Sequence, residues 1–287
     1  EAKKGVHILD NSNPSNPVKV SFIEIPGVVD MAVRNNTLYV DSYMDLVAID
    51  ISNPLSIKEV GRVKNTFTYG LYDGLSWYYD AYSRTVTDYE WKLVTETVKT
   101  DCGAGTTTWP IYYKGGVAED ALSSNTAGKA PTGSSGGTTG TGGSMARFTI
   151  YDDYLYTVSQ SNLTLFNIKN TEKPDSTSTI NLGWGIETIF PYKDKLFIGS
   201  NTGMHIYDNA DPKNPVRLSI FQHARACDPV VVENDIAFVT LREGWCGAAP
   251  NQLDVVDVKD LLRPQLLKSY PMQNPHGLGV DLPNLFV

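Results

Sequence analysis

Leu46-Val47-Ala48-Ile49-Asp50-Ile51-Ser52-Asn53-Pro54, running on through Leu55 to Val63 as LSIKEVGRV, decides the fold. It reads as a short apolar strand closed by an acidic residue, then an Asn-Pro turn, then a second strand. The pattern returns four times: VHILDNSNPSNPVKVSFIEI from Val6, LTLFNIKNTEKPDSTSTINL from Leu163, MHIYDNADPKNPVRLSIF from Met204 and LDVVDVKDLLRPQLLKSY from Leu253. The marker residues are Asp10, Asp50, Asn167, Asp208 and Asp257, spaced by 40, 117, 41 and 49 residues. The second gap exceeds one period by about 76 residues, which is an inserted element and not a further unit.

Between the markers lies a second recurring pair of strands joined by a polar turn. It reads MAVRNNTLYV from Met31, FTIYDDYLYTV from Phe148, TIFPYKDKLFIG from Thr188, PVVVENDIAFVT from Pro229 and GLGVDLPNLFV from Gly277. The turn residues Asn-Asn, Asp-Asp, Lys-Asp and Asn-Asp are hairpin chemistry. Four short strands in about 40 residues predict an all-β chain, a β-propeller of four-stranded blades with a long insertion. Residues 1–287 then form one domain. The chain opens with the third and fourth strands of a unit and closes with a first and second, so the ends together supply a fifth blade. Otherwise the five visible units belong to a six- or seven-bladed ring with flanking strands outside this sequence.

The 287 residues carry 24 Lys+Arg against 32 Asp+Glu, a formal charge of −8, with 41% hydrophobic residues. This composition excludes a disordered chain and lacks the basic footprint of a nucleic-acid binder. No apolar run approaches the ~20 residues of a membrane span. His-Glu-x-x-His and phosphate-loop sequences are absent, so those routes to catalysis have no motif.

The strand-plus-Asp signature followed by Ile-Ser-Asn-Pro resembles the LVIVD-repeat propellers of bacterial surface proteins. The stretches GGSMARFTIYDDYLYTV, ACDPVVVENDIAFVTLREG, NQLDVVDV and YPMQNPHGLGVD are similar to long-insert members of that family, exported lipoproteins of Bacteroidetes. The resemblance covers nearly all of the chain outside residues 64–140. It implies a propeller, export, and a place at the cell surface or in the periplasm, lipid-anchored through a segment outside this sequence; it implies no reaction. A lipid-attachment Cys near the N-terminus and extra flanking strands, usual in the family, are missing here, as they would be in a truncated mature chain.

The insertion, residues 64–146, divides by composition. Residues 67–99 are aromatic and polar, with the β-branched content of a hairpin or extended strand over 86–98, and residues 103–143 are a flexible Gly/Ser/Thr-rich segment. It joins the fourth strand of one blade to the first of the next, which places it on the face that carries loops for binding. Its Trp77, Tyr78, Tyr79, Tyr82, Tyr89 and Trp91 either offer a platform to a sugar ring or a protein, or pack the insert onto the propeller. Cys227 and Cys246 fall on loops of this same face, and a disulfide between them closes a loop of about 20 residues. Cys102 is left over; three reduced cysteines are the alternative.

Aligned on their first strands, the units place one polar residue just before each strand core: Asp30, Arg147, Glu187, Asp228 and His276. First strands line the channel of a propeller, so these five predict a polar ring at its mouth, the candidate ligand-binding site. Gathered carboxylates there raise one another's pKa unless Arg147 or a bound cation compensates. The bland alternative is an ion-pair network that solvates the channel. No cofactor or metal is implied; a hard divalent cation such as calcium is the one ion that such oxygens suit, although no calcium-loop sequence is present.

The sequence thus points to a monomeric, non-enzymatic binding or scaffolding propeller that engages a glycan, a small ligand or a protein on the insert-bearing face. The second reading is an enzyme acting on a glycan at the channel mouth, with Asp30, Glu187, Asp228 and His276 as acid/base groups and Arg147 orienting an anionic group. The third is an inert structural repeat.

Overall fold

The computed structural model describes residues 1–67, 69–72, 75–78, 146–224, 226, 229–243 and 251–287; for 69–72 and 75–78 it describes the backbone only. Every regular element among them is a β-strand. β1 (Gly5–Asp10) and β2 (Val18–Glu24) form a two-stranded sheet. β3 (Met31–Arg34), β4 (Thr37–Ser42), β5 (Asp45–Asp50) and β6 (Lys58–Val63) form the first four-stranded blade, antiparallel in chain order. β7 (Tyr69–Tyr72) and β8 (Leu75–Tyr78) pair as a hairpin at the start of the insertion. It precedes the hairpin or extended strand predicted at 86–98, which lies outside the described residues. An Asp-Gly pair between two short strand-like runs was the signal for the β7–β8 hairpin, at 73–74.

The second blade is β9 (Phe148–Tyr151), β10 (Tyr154–Val158), β11 (Asn162–Asn167) and β12 (Asp175–Asn181). The third is β13 (Ile186–Tyr192), β14 (Lys195–Ser200), β15 (Gly203–Asp208) and β16 (Val216–Gln222). The fourth is β17 (Val230–Glu233), β18 (Ile236–Leu241), β19 (Gln252–Asp257) and β20 (Gln265–Pro271), and β21 (Gly279–Asp281) pairs with β22 (Asn284–Phe286). The two terminal hairpins remain separate sheets; among the described residues no ladder joins them into the shared fifth blade. Each is held by its neighbour instead. Val6, Ile8, Ile23 and Ile25 pack on the first blade, and Leu278, Val280 and Leu285 pack on the fourth.

The core lies between blades, because each sheet buries both faces against its neighbours. Tyr39, Leu46 and Ala48 of the first blade meet Phe148, Leu155 and Phe166 of the second. Leu163 and Leu165 of the second meet Ile189, Leu196 and Tyr207 of the third. Each fully buried large apolar side chain contributes roughly 1.5–3 kcal/mol, so the stacked blades are held mainly by these layers.

The marker residues explain why the third and fourth strands keep one geometry. The carboxylate or amide oxygen of each accepts the backbone N–H two residues on: Ser12 to Asp10 at 2.9 Å, Ser52 to Asp50 at 2.8 Å, Lys169 to Asn167 at 2.9 Å, Ala210 to Asp208 at 3.1 Å and Lys259 to Asp257 at 2.9 Å. These are Asx-turns, which start the chain reversal. A second set follows three residues later at Asn13, Asn53, Asn170, Asp211 and Asp260. Every third-to-fourth strand pair also carries a register shift at the same place, after Ile8, Ala48, Leu165, Ile206 and Val255, a bulge that deepens the twist of the outer edge.

A hydroxyl clasp joins the N-terminal hairpin and each of the first three blades to the turn of the next. The Tyr39 hydroxyl donates to the Thr171 carbonyl at 2.8 Å, and Tyr156 donates to Pro212 O at 2.8 Å. The third blade has Phe197 at the tyrosine position, and there Ser219 of its fourth strand donates instead, to Leu261 O at 2.5 Å. Ser21 does the same for the N-terminal hairpin, reaching Pro54 O at 2.7 Å.

Candidate functional site

The first strand of each blade starts at the face where the insertion leaves and returns. Asp30 precedes β3 and Arg147 precedes β9, so the two stand at equivalent points of adjacent blades. The Arg147 backbone N–H donates to Asp30 Oδ2 at 2.5 Å, and its Nε lies 3.6 Å from the same oxygen. Its Nη2 lies 3.3 Å from Oδ2 of Asp41, at the end of β4. Asp41 Oδ1 in turn accepts the N–H groups of Val29 at 2.7 Å and Asp30 at 2.8 Å, while Asp30 Oδ1 accepts that of Met31 at 2.8 Å. One arginine at the foot of the insertion is therefore pinned by two carboxylates of the neighbouring blade.

Burial dominates the electrostatics. The Asp30 side chain is 14% exposed and that of Asp41 8%, against 35% for Arg147. Loss of hydration raises the Asp30 carboxyl to about 6 from its ordinary 3.8; Arg147 opposes the rise and Asp41 adds to it. Burial also raises Asp41, again against Arg147. Arg147 thus opposes the rise at two acids without cancelling it. Asp41 was not among the sequence candidates. Its signal was a charge at the end of a second strand, where the second and fourth blades carry Val158 and Thr240.

The remaining predicted ring residues are placed differently. Glu187 is half-buried at the irregular point of β13, where the register with β14 shifts between Ile186 and Thr188. His276 lies before β21; its Nε2 is 3.2 Å from Asn274 Nδ2, and its carbonyl accepts the Thr240 hydroxyl at 2.7 Å. The end of the second strand thus reaches the ring position of the next blade twice, as Asp41 to Arg147 and as Thr240 to His276. Asp228, Cys102, Cys227 and Cys246 lie outside the described residues, as do the insert aromatics from Tyr79 onward. Among the described residues no group of three or more His, Cys, Asp or Glu is placed to hold a metal ion. No described helix is long and apolar enough to cross a membrane.

At the opposite end of the first strands, the hairpin turns are linked from blade to blade by charge. Arg34 Nη2 is bonded to Asp153 Oδ1, and Lys193 Nζ lies 2.6 Å from Asp235 Oδ1. These pairs staple the face away from the insertion.

The LVIVD repeat family matches residues 2–23 and 27–65, the units that carry Asp10 and Asp50. Over those residues the chain carries the LVIVD repeat. The three later units keep the same Asx-turn and bulge, so the same local geometry extends past the matched segments. No curated protein matches the sequence. Among solved structures, Kluyveromyces lactis Hsv2 is similar over 94% of this chain and 80% of its own, at 13% identity and a TM-score of 0.42. Kluyveromyces marxianus Hsv2 is similar over 95% and 80%, at 12% identity and 0.38. A chain of the S. cerevisiae complex of dbp5 with nup159, gle1, ip6 and adp is similar over 88% of this chain, at 8% identity and a TM-score of 0.40; this chain spans 49% of its length.

Proposed function

We propose that this protein is a non-enzymatic binding or scaffolding propeller, exported and displayed at the bacterial cell surface or in the periplasm, which engages a glycan, a small ligand or a protein on the insert-bearing face. The observation that carries the reading is the anchorage of Arg147: the return of the insertion is tied by a backbone bond and two ion pairs to the neighbouring blade. A long loop with a fixed foot on a rigid sheet presents its surface at small entropic cost. The acids there are engaged by Arg147 and by backbone N–H groups, which suits holding more than turnover. The exported location rests on the resemblance to surface lipoproteins.

One observation favours the second reading, an enzyme acting on a glycan at the channel mouth: burial lifts Asp30 into the range of a general acid. Arrays of glycans and of surface proteins, probed with the wild type, Arg147→Gln, Glu187→Gln and a variant with residues 68–145 replaced by a Gly-Ser linker, test the first reading. Retention lost in the linker variant supports it, and retention by every variant overturns it. Product release from a bound glycan that ceases in Asp30→Asn moves the assignment to the enzyme.

A further inference from the structure

Trp184 lies on the insert-bearing face, in the connection between β12 and β13, and is 64% exposed. The connection, Asn181-Leu182-Gly183-Trp184-Gly185-Ile186, is built tightly beneath it. Gly183 and Gly185 flank the tryptophan at φ of 91° and 90°, a region that L side chains rarely adopt. The Gly183 N–H donates to Asn181 Oδ1 at 3.0 Å, Leu182 to Ser161 O at 2.8 Å, and Gly185 and Ile186 to Gln160 O at 2.8 and 3.0 Å. On the other side the Asn201 N–H donates to Gly185 O at 2.8 Å, and a Cβ on Gly185 would fall 2.3 Å from Asn201 Oδ1. Backbone on both sides therefore holds the loop that bears an outward-facing indole.

The surroundings define the chemistry. The turns flanking Trp184 are Ser159-Gln160-Ser161-Asn162 of its own blade and Ser200-Asn201-Thr202-Gly203 of the next. Together with residues 181–186 they hold amides and hydroxyls and no Asp, Glu, Lys or Arg. The Gln160 side-chain oxygen, enclosed there, has no hydrogen-bond partner. A phosphate or nucleic acid asks for cations, which these segments lack. A flat aromatic face set among neutral donors and acceptors suits the C–H face and hydroxyls of a neutral sugar.

We propose that Trp184 and the amide- and hydroxyl-bearing turns at 159–162 and 200–203 form a binding site for a neutral saccharide, with the indole stacking on a sugar ring. This rests on the reading of the insert-bearing face as the binding face and names its ligand class. The probe is an array of neutral gluco-, manno-, galacto-, xylo- and N-acetylglucosamine oligosaccharides, followed by calorimetric titration of the tightest one. Wild type binds, Trp184→Ala loses about tenfold or more in affinity, and Trp184→Phe keeps most of it. Thermal melts check that Trp184→Ala is folded, which its exposure leads one to expect. No retention of any neutral sugar overturns the inference, as does retention of a protein alone. A saccharide held equally by Trp184→Ala but lost by the linker variant of 68–145 also overturns it while leaving the binding face intact; a ligand held by both variants overturns the two together.

Discussion

Arg147 and Asp30 are joined twice, by the arginine backbone N–H at 2.5 Å and by its guanidinium at 3.6 Å, across the seam between two blades. Replacing Arg147 by Gln keeps the backbone bond but leaves Asp30 and Asp41 buried without a countercharge. Breaking a buried pair costs about 3–5 kcal/mol, and the partial exposure of Arg147 reduces this to about 2–3 kcal/mol. Denaturant unfolding of Arg147→Gln is expected to show that loss. Arg147→Gln/Asp30→Asn should recover part of it, because the second change removes one stranded charge; equal stability of the single and double variants would remove the pairing from the account.

The raised Asp30 carboxyl makes a signed prediction. A folded-state value of about 6, above the ordinary 3.8, means that the folded chain binds this proton more tightly than the unfolded one. The contribution is full below the unfolded value and is lost as pH rises through about 6, so this site lowers stability between about pH 4 and 7. Asp10, Asp50 and Asp208 act oppositely and lower down. Their hydrogen bonds depress their carboxyls, and the stability they add appears above the ordinary value and fades as the pH falls below it. The urea midpoint of wild type minus that of Asp30→Asn should therefore decline from pH 4.5 to pH 7. A flat difference would show that Asp30 titrates normally.

The Asx-turn markers are structural. Asp50→Ala and Asp208→Ala should each lower the melting temperature by about 2–4 °C, the shift that the loss of one such bond produces in a domain of this size. Asp50→Asn and Asp208→Asn should be close to neutral, since Asn167 already fills the same role in the second blade. Ligand retention is expected to be unchanged in all four.

The hydroxyl clasp gives two further variants. Tyr39→Phe leaves the Thr171 carbonyl without its donor, for about 1 kcal/mol. Gly61→Ala is expected to cost more, because a Cβ there would fall 2.1 Å from the Glu172 carbonyl oxygen, which is backbone and has little room to yield. Chemical denaturation ranks them; a tolerated Gly61→Ala would mean that the first two blades do not approach as closely as described.

Much of this was legible in the residues. The spacing of Asp10, Asp50, Asn167, Asp208 and Asp257, together with the hairpin turns between them, implies four-stranded blades, because Asx-turns and two-residue hairpins are local and depend on residues within a few positions. The equivalence of Asp30 and Arg147 came from the same alignment. Their partner Asp41 did not. Its role depends on the seam between blades, and Arg147 stands 106 residues further along the chain. Trp184 was missed for a related reason, since an exposed tryptophan looks like a core tryptophan until the chain is folded. By itself, then, the sequence determined the repeat, the turns and the side of the propeller that carries the insertion, all set by short-range periodicity. The tertiary structure alone decided which carboxylates hold Arg147, which hydroxyl clasps which turn, and that Trp184 faces outward among neutral amides, because each depends on how one blade stacks on the next.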